Sequence, residues 1–370
     1  MKKIVCIIIF IVMLSVSSTC SAIELSASSA VVIEAQTGAV VFSKDAHTKR
    51  TMASTTKIMT AICALEEGEL DKKVKIDSKA VGVEGSSIYL REGEKLSLSE
   101  LVYGLMLNSG NDAAVAIACG VSGSVENFAK LMNDKAKEIG VKNTGFKNPN
   151  GLDEEGHYTT AYDLATITAY ALKNEEFKKI VSTFQTTIPG SEEGTKRYLT
   201  NHNKLLKRME GCIGVKTGFT KKSGRCLVSA AEREGVTLVA VTLNAPDDWN
   251  DHMNMMNYGF ERVIRKKMVS KGEVLQNVRV TGGDDKTLKV VCADDFYAST
   301  LKDKPYVAKY KFAQPIQAPV EKGTKIGKVE IYMDRRLIGT VPAVAGENVG
   351  IDKTRYFGKS IMMIIRGFLK

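Results

Sequence analysis

The sequence predicts an α/β (α+β) fold, an antiparallel sheet flanked by helices, followed by a small C-terminal β domain. Three observations carry this prediction. Apolar residues at helical spacing dominate the stretch between residues 58 and 172. From Phe184 the periodicity changes toward strands, and residues 214–218, 226–231 and 236–243 form consecutive segments of an antiparallel set. Beyond about Lys267 the chain becomes short β-rich pieces at 274–280, 288–292, 306–312, 326–333 and 337–341, separated by Gly, Asp and Lys. A chain of 370 residues that is 44% hydrophobic and 25% charged has room for two cores, which excludes a disordered protein.

Taken in order, the chain opens on Met1-Lys2-Lys3, an apolar run over 4–14, and the small residues Cys20-Ser21-Ala22. This pattern predicts a signal peptide over 1–22, with the mature chain starting near Ile23 and exported; the apolar core is short for a membrane span. Export makes nucleic acid a poor partner for the formal charge of +10 and favours an anionic membrane surface or an anionic wall polymer. The mature cysteines are Cys63, Cys119, Cys212, Cys226 and Cys292, an odd set with no metal-knuckle spacing, and they read as buried free thiols.

Residues 31–42 read as two short strands about a turn at Gly38. Ser54 then stands where a helix should begin, as its N-cap, with Lys57 one turn later and an apolar run from Ile58 to Leu65. Residues three apart share a helix face, so the Ser54 hydroxyl and the Lys57 amine form a candidate nucleophile and base. A second Ser-x-x-Lys, Ser299 to Lys302, shows that the spacing alone is not specific. Ser97 and Glu100 have capping-box spacing ahead of the next helix. That helix breaks at Asn108-Ser109-Gly110-Asn111 and a second helical segment follows at 113–118, so a polar break is presented between packed helices, with Asp112 expected as a helix cap. Helices are expected at Val125–Ile139 and 160–172, and one carrying Trp249, Met253, Met256 and Phe260 closes the first domain. The domain boundaries follow as 23–266 for the catalytic domain, 267–352 for the β domain and 353–370 for a terminal helix. In that last stretch Phe357, Ile361, Ile364, Ile365 and Phe368 share one face, opposite Lys359, Arg366 and Lys370, as in a helix lying in a membrane interface.

Three signals occur in one order: Ser54-Thr-Thr-Lys57, Ser109-Gly-Asn111 and Lys216-Thr-Gly218. Together they resemble the active-site-serine penicillin-recognising enzymes, which place such motifs on a helix, an inter-helix loop and a strand. The resemblance is closest to the low-molecular-mass penicillin-binding proteins of serine peptidase family S11 that act as D-alanyl-D-alanine carboxypeptidases. It extends to the passage from Gly151 to Ala165, the segment Asn203 to Leu206 and essentially the whole chain. It implies a penicillin-binding-protein/β-lactamase-like transpeptidase domain, with Ser54, Lys57 and Ser109 catalytic and Asn111, Lys216, Thr217, Gly218 and Phe219 binding substrate. The implied substrate is a peptidoglycan stem peptide, attacked by Ser54 with Lys57 as base and Ser109 passing a proton to the departing D-alanine. The N–H groups of Ser54 and Phe219 would form the oxyanion hole, β-lactam antibiotics would acylate Ser54, and no metal or cofactor is implied. The implied location is the outer face of the cytoplasmic membrane, with peripheral attachment through the terminal helix.

One departure stands out. Gram-negative members carry an arginine after the strand that follows Lys-Thr-Gly, whereas this chain has Asn244-Ala-Pro-Asp-Asp-Trp249, so carboxylate recognition rests on Lys216, Thr217 and Arg225. His157 is expected to order the loop before Thr159, and His202 and His252 to lie at the surface or behind the site. A class A β-lactamase would need a positioned glutamate, and Glu154 and Glu155 lack that family's following Leu-Asn. The same motifs are compatible with a D,D-endopeptidase and with a non-catalytic wall-binding protein.

Overall fold

The computed structural model describes residues 23–302 and 304–353; the expected signal segment 1–22 and residues 354–370 of the expected terminal helix lie outside the described residues. The chain starts with β1 (Ser29–Glu34) and β2 (Val40–Lys44), the expected hairpin about Gly38. Every residue of β1 is buried because both its faces are covered. Val31 and Ile33 join one core and Ala30 and Val32 the other, the period-two alternation of a central strand.

A tight 3-10 turn, Ala53–Thr56, leads into α1 (Lys57–Glu67). Ser54 is therefore not the N-cap expected from the sequence. Met52 occupies that place without a side-chain cap, and Thr55 Oγ1 closes the turn on Met52 O at 2.6 Å. The Ser54 hydroxyl is left for chemistry. Two short strands, β3 (Lys73–Lys75) and β4 (Lys95–Ser97), pair before α2 (Leu98–Leu107), where the Ser97–Glu100 capping box is formed as predicted. After the polar break comes α3 (Asn111–Ser122), then α4 (Val125–Ile139), α5 (Ala161–Ala171) and α6 (Glu175–Ser182).

The hairpin of β5 (Gln185–Pro189) and β6 (Lys196–Thr200) precedes the three strands that complete the main sheet: β7 (Cys212–Thr220), β8 (Gly224–Arg233) and β9 (Val236–Leu243). The sheet order is β2-β1-β9-β8-β7, with all neighbours antiparallel. Helices α1 to α6 cover one face, and α7 (Asp248–Arg262) covers the other through Met255 and Met256. β7 is an edge strand, so its outer side faces the start of α1 and the α2–α3 break.

From α7 the chain passes directly into β10 (Val263–Val269), so the boundary expected at 266 falls inside a strand. β11 (Val274–Thr281), β12 (Thr287–Cys292), β13 (Phe296–Leu301), β14 (Val307–Phe312), β15 (Ile316–Gln317), β16 (Lys325–Met333) and β17 (Arg336–Ala345) follow. β10 pairs with β13, and the other six form a sheet ordered β14-β16-β17-β12-β11-β15 around two small cores. The five segments expected from the sequence correspond to β11, β12, β14, β16 and β17. β10 carries three successive charges, β15 is two residues long, and β13 buries the polar Ser299 and Thr300, so none of the three shows a clean alternation.

Candidate active site

The side chain of Lys57 is fully buried, and its Nζ lies 2.9 Å from Ser54 Oγ, 2.6 Å from Asn111 Oδ1 and 2.6 Å from the Asn150 carbonyl oxygen. Burial lowers its pKa well below the ordinary lysine value, and the neighbouring Lys216 charge lowers it further, against a smaller opposing pull from Asp112. A neutral amine has two N–H groups and one lone pair. The carbonyl of Asn150 and the amide oxygen of Asn111 can only accept, so they take both N–H groups and the lone pair is left facing the Ser54 hydroxyl. This is the geometry of a general base beside its nucleophile.

Asn111 is fixed in that orientation because its Nδ2 donates to Glu84 O and its backbone N donates to Ser86 O at 2.7 Å. One Nδ2 hydrogen and one Oδ1 lone pair remain for a substrate amide. The preceding Ser109 is buried at φ +59°, a left-handed conformation that costs a non-glycine residue about 1 kcal/mol or more. The strained turn brings Ser109 into the cleft that Ser54 lines. Asp112 is not the expected cap. Gly110 holds that position, and the Asp112 carboxylate accepts from Ile88 N, Leu90 N and Ser87 Oγ, tying the 84–90 loop to α3.

The third wall is β7. A Cβ placed on Gly218 would lie 3.1 Å from both Ser54 N and Thr55 N, so only glycine lets this strand close so tightly on the 3-10 turn. Thr217 and Phe219 flank it and line the cleft of about 350 Å³, and Phe219 is 65% exposed at its mouth. Lys216 points inward. It is 1% exposed, donates to Thr217 O at 2.9 Å, and its pKa is brought down by burial to about 7. Arg225 sits opposite Phe219 in the β7–β8 register and lines the same cleft. Its Nε and Nη2 both donate to Asp248 Oδ1, at 3.1 and 2.8 Å, and its guanidinium lies 5.6 Å from the Trp249 ring centre.

His157 is buried, accepts at Nδ1 from Lys147 N and meets Thr56 Oγ1 at Nε2, so it orders the expected loop as a neutral ring with its pKa down to about 4 through burial. His202 is exposed and lines the cleft. Of the two places expected for His252, the surface is excluded. The residue is fully buried between Ser229 Oγ and Thr242 Oγ1, where desolvation takes its pKa to about 3. Among the described residues all five cysteines are free; Cys63, Cys226 and Cys292 are buried and Cys119 and Cys212 half-buried. Ser299 lies in β13, away from any helix start, so the second Ser-x-x-Lys has no comparable setting. Among the described residues no cluster of His, Cys, Asp or Glu could hold a metal ion, and no helix is long and apolar enough to cross a membrane.

The Asn150 carbonyl and the Asp248–Trp249 brace of Arg225 were not read from the sequence. A backbone carbonyl leaves no trace in residue type, and the brace joins two segments more than twenty residues apart.

A family model described as D-alanyl-D-alanine carboxypeptidase matches residues 16–247, and one described as Penicillin-binding protein 5, C-terminal domain, matches residues 265–350. The chain is 35% identical over 334 residues to the D-alanyl-D-alanine carboxypeptidase DacF of Bacillus subtilis, covering 87% of this chain and 86% of that relative. It is similar to the crystal structure of penicillin binding protein 5 from Haemophilus influenzae, with a TM-score of 0.68 and 29% identity over 89% of this chain and 99% of that one. It is also similar to the D-alanyl-D-alanine carboxypeptidase DacD from Francisella tularensis, with a TM-score of 0.63 and 26% identity over 89% and 95% of the two chains.

Proposed function

The chain belongs to the D-alanyl-D-alanine carboxypeptidase family, and from that premise we propose how its cleft removes the terminal D-alanine from peptidoglycan stem pentapeptides. The observation that carries the mechanism is the three-way contact of Lys57 Nζ with Ser54 Oγ, Asn111 Oδ1 and Asn150 O. Lys57 takes the Ser54 hydroxyl proton as Oγ bonds to the carbonyl carbon of the penultimate D-alanine. The resulting oxyanion is held by the N–H groups of Ser54 and Phe219, which the close approach of Gly218 brings together. Collapse breaks the peptide bond, and the departing amine of the last D-alanine receives a proton through Ser109. Water, deprotonated by Lys57, then attacks the acyl-enzyme and regenerates Ser54. Asn111 holds a stem-peptide amide. Thr217, Lys216 and Arg225 receive the terminal carboxylate, Thr217 and Arg225 both lining the cleft. A penicillin acylates the same oxygen.

The exported setting is part of this reading. Residues 1–22 act as a signal peptide, 23–266 form the catalytic domain, 267–352 the β domain, and 353–370 an interfacial helix at the outer face of the cytoplasmic membrane. The basic and apolar patterning of both termini supports it. Removing 355–370 should release the protein from anionic vesicles and leave hydrolysis of soluble peptide intact; unchanged vesicle binding would refute the anchor.

The decisive experiment measures free D-alanine released from a stem pentapeptide by the wild type and by Ser54→Ala. Release that disappears with the Ser54 hydroxyl, together with loss of covalent penicillin labelling, is expected. Labelling of Ser54→Ala at the wild-type rate would remove Ser54 as the nucleophile. Penicillin labelling at Ser54 without D-alanine release would redirect the assignment to crosslinked muropeptides.

A further inference from the structure

A second cleft, of about 1040 Å³, lies where the β8–β9 turn, the end of α7 and the start of β10 meet, with Lys302 at its rim. Its cations are Arg233, Arg262, Arg265 and Lys302, against two lining carboxylates, Glu234 and Glu261. The three arginines are held in a common way. The guanidinium of Arg233 lies 4.5 Å from the Phe260 ring centre, that of Arg262 3.5 Å from Tyr258, and that of Arg265 5.3 Å from Tyr297. Each also donates to a backbone carbonyl: Glu210 O at 3.2 Å, Tyr258 O at 3.2 Å and Gly235 O at 3.5 Å, respectively. Gly235, at φ +74°, makes room for this arrangement, since a Cβ there would collide with Arg265 Nη1.

Such arginines are preorganised but not neutralised. A guanidinium stacked by its face keeps its in-plane N–H edge for an anion. Arg197, by contrast, is consumed structurally, giving both terminal nitrogens to Glu94 at 2.5 and 2.8 Å. In the junction cleft a carboxylate meets an arginine at Glu261 and Arg262, 3.3 Å apart, an exposed pair of little strength. The cationic surface continues along β10 through exposed Lys266 and Lys267, the latter partly answered by Asp295.

We propose that the junction cleft binds a polyol-phosphate polymer, a flexible chain of phosphodiester units, through the edges of Arg262 and Arg265 with Arg233 and Lys302 as further cations. Repeated single charges match a row of separate cations, and arginine forks fit phosphate oxygens. The cleft is concave, which suits an inserted chain segment better than a flat bilayer. The aromatic rings are already covered by arginines, so they offer little stacking face to the bases of a nucleic acid.

The test uses the full chain and poly(glycerol phosphate), with binding measured by calorimetry as salt rises from about 50 to about 200 mM. Binding that weakens with salt is expected, and Arg262→Gln with Arg265→Gln should weaken it about tenfold or more. Lys302→Glu removes a cation from the rim without touching a stacked ring, and should weaken binding several-fold even if the double variant folds poorly. Lys72→Gln with Lys142→Gln, two exposed cations of the helical side, should leave it unchanged. D-alanine release by all these variants should equal the wild type, which separates this inference from the catalytic assignment. No binding at low salt, or an equal loss in the Lys72–Lys142 control, would overturn the proposal. Loss of binding to phosphatidylglycerol vesicles without loss of polymer binding would assign the cleft to a lipid headgroup instead.

Discussion

The catalytic cleft and the junction cleft both gather cations, and they put them to opposite uses. Lys57 and Lys216 are buried, where desolvation lowers the pKa of each, and at Lys57 the Lys216 charge adds to that shift and turns the amine toward base chemistry. Arg233, Arg262 and Arg265 stay at the surface on aromatic faces, and arginine keeps its proton in either setting. Residue type and solvent access together decide whether a cation moves a proton or holds an anion.

Lys57→Arg is the strongest way to break this comparison. Arginine retains the positive charge but cannot accept the Ser54 proton, so kcat should fall by roughly three orders of magnitude. Activity within about tenfold of wild type would mean that Lys57 contributes charge and not basicity.

Gly218→Ala tests the wall opposite Lys57. The added methyl would press on Ser54 N and Thr55 N, and displacement of β7 by a few tenths of an ångström should cost about tenfold to a hundredfold in kcat. Acylation by penicillin should fall in parallel; a change in KM alone would place the strain elsewhere.

Lys216→Gln sharpens the electrostatic half. The Lys216 charge lowers the Lys57 pKa, so its removal should raise that pKa and move the acid limb of kcat/KM to higher pH. Peptide kcat/KM should also drop about tenfold through the lost carboxylate attraction. An unmoved acid limb would show that burial alone sets the Lys57 pKa.

The smallest effect concerns the neutral buried histidines. His157 and His252 have folded pKa values near 4 and 3, below the ordinary histidine value of 6.5. In this depressed case the unfolded chain binds protons first, so stability present above about pH 6.5 is lost as the pH falls toward those folded values. The slope is at most about 1.4 kcal/mol per pH unit for each histidine. His252→Gln should flatten that slope in urea titrations between about pH 6 and 4, at some cost at neutral pH. An unchanged slope would mean that carboxylates dominate acid unfolding.

Much of this site is legible in residue order. Lys57, Ser109, Lys216 and Thr217 fall on the kinds of element expected, because helical and strand periodicities and a polar break between apolar runs are local properties of the chain. The departures are equally instructive. Ser54 has the residue type of an N-cap, but the left-handed φ of +48° at Ala53 starts a 3-10 turn one residue earlier. Asp112 has the type of a cap but answers N–H groups from a loop more than twenty residues away. His252 is polar, yet two hydroxyls from β8 and β9 satisfy it inside the core.

The sequence by itself determined the fold class, the order of the three motifs and the pairing of a serine with a lysine one turn on, since each depends on spacings of a few residues. Only the tertiary structure decided the proton state of Lys57, which depends first on its burial and then on the Lys216 charge brought beside it from β7, and the orientation of its amine, which the Asn150 carbonyl and Asn111 set. It likewise decided that Arg233, Arg262 and Arg265 share one cleft. Desolvation and Coulomb energy depend on distance in space, and distance in space is set by packing across the sheet and between its helices.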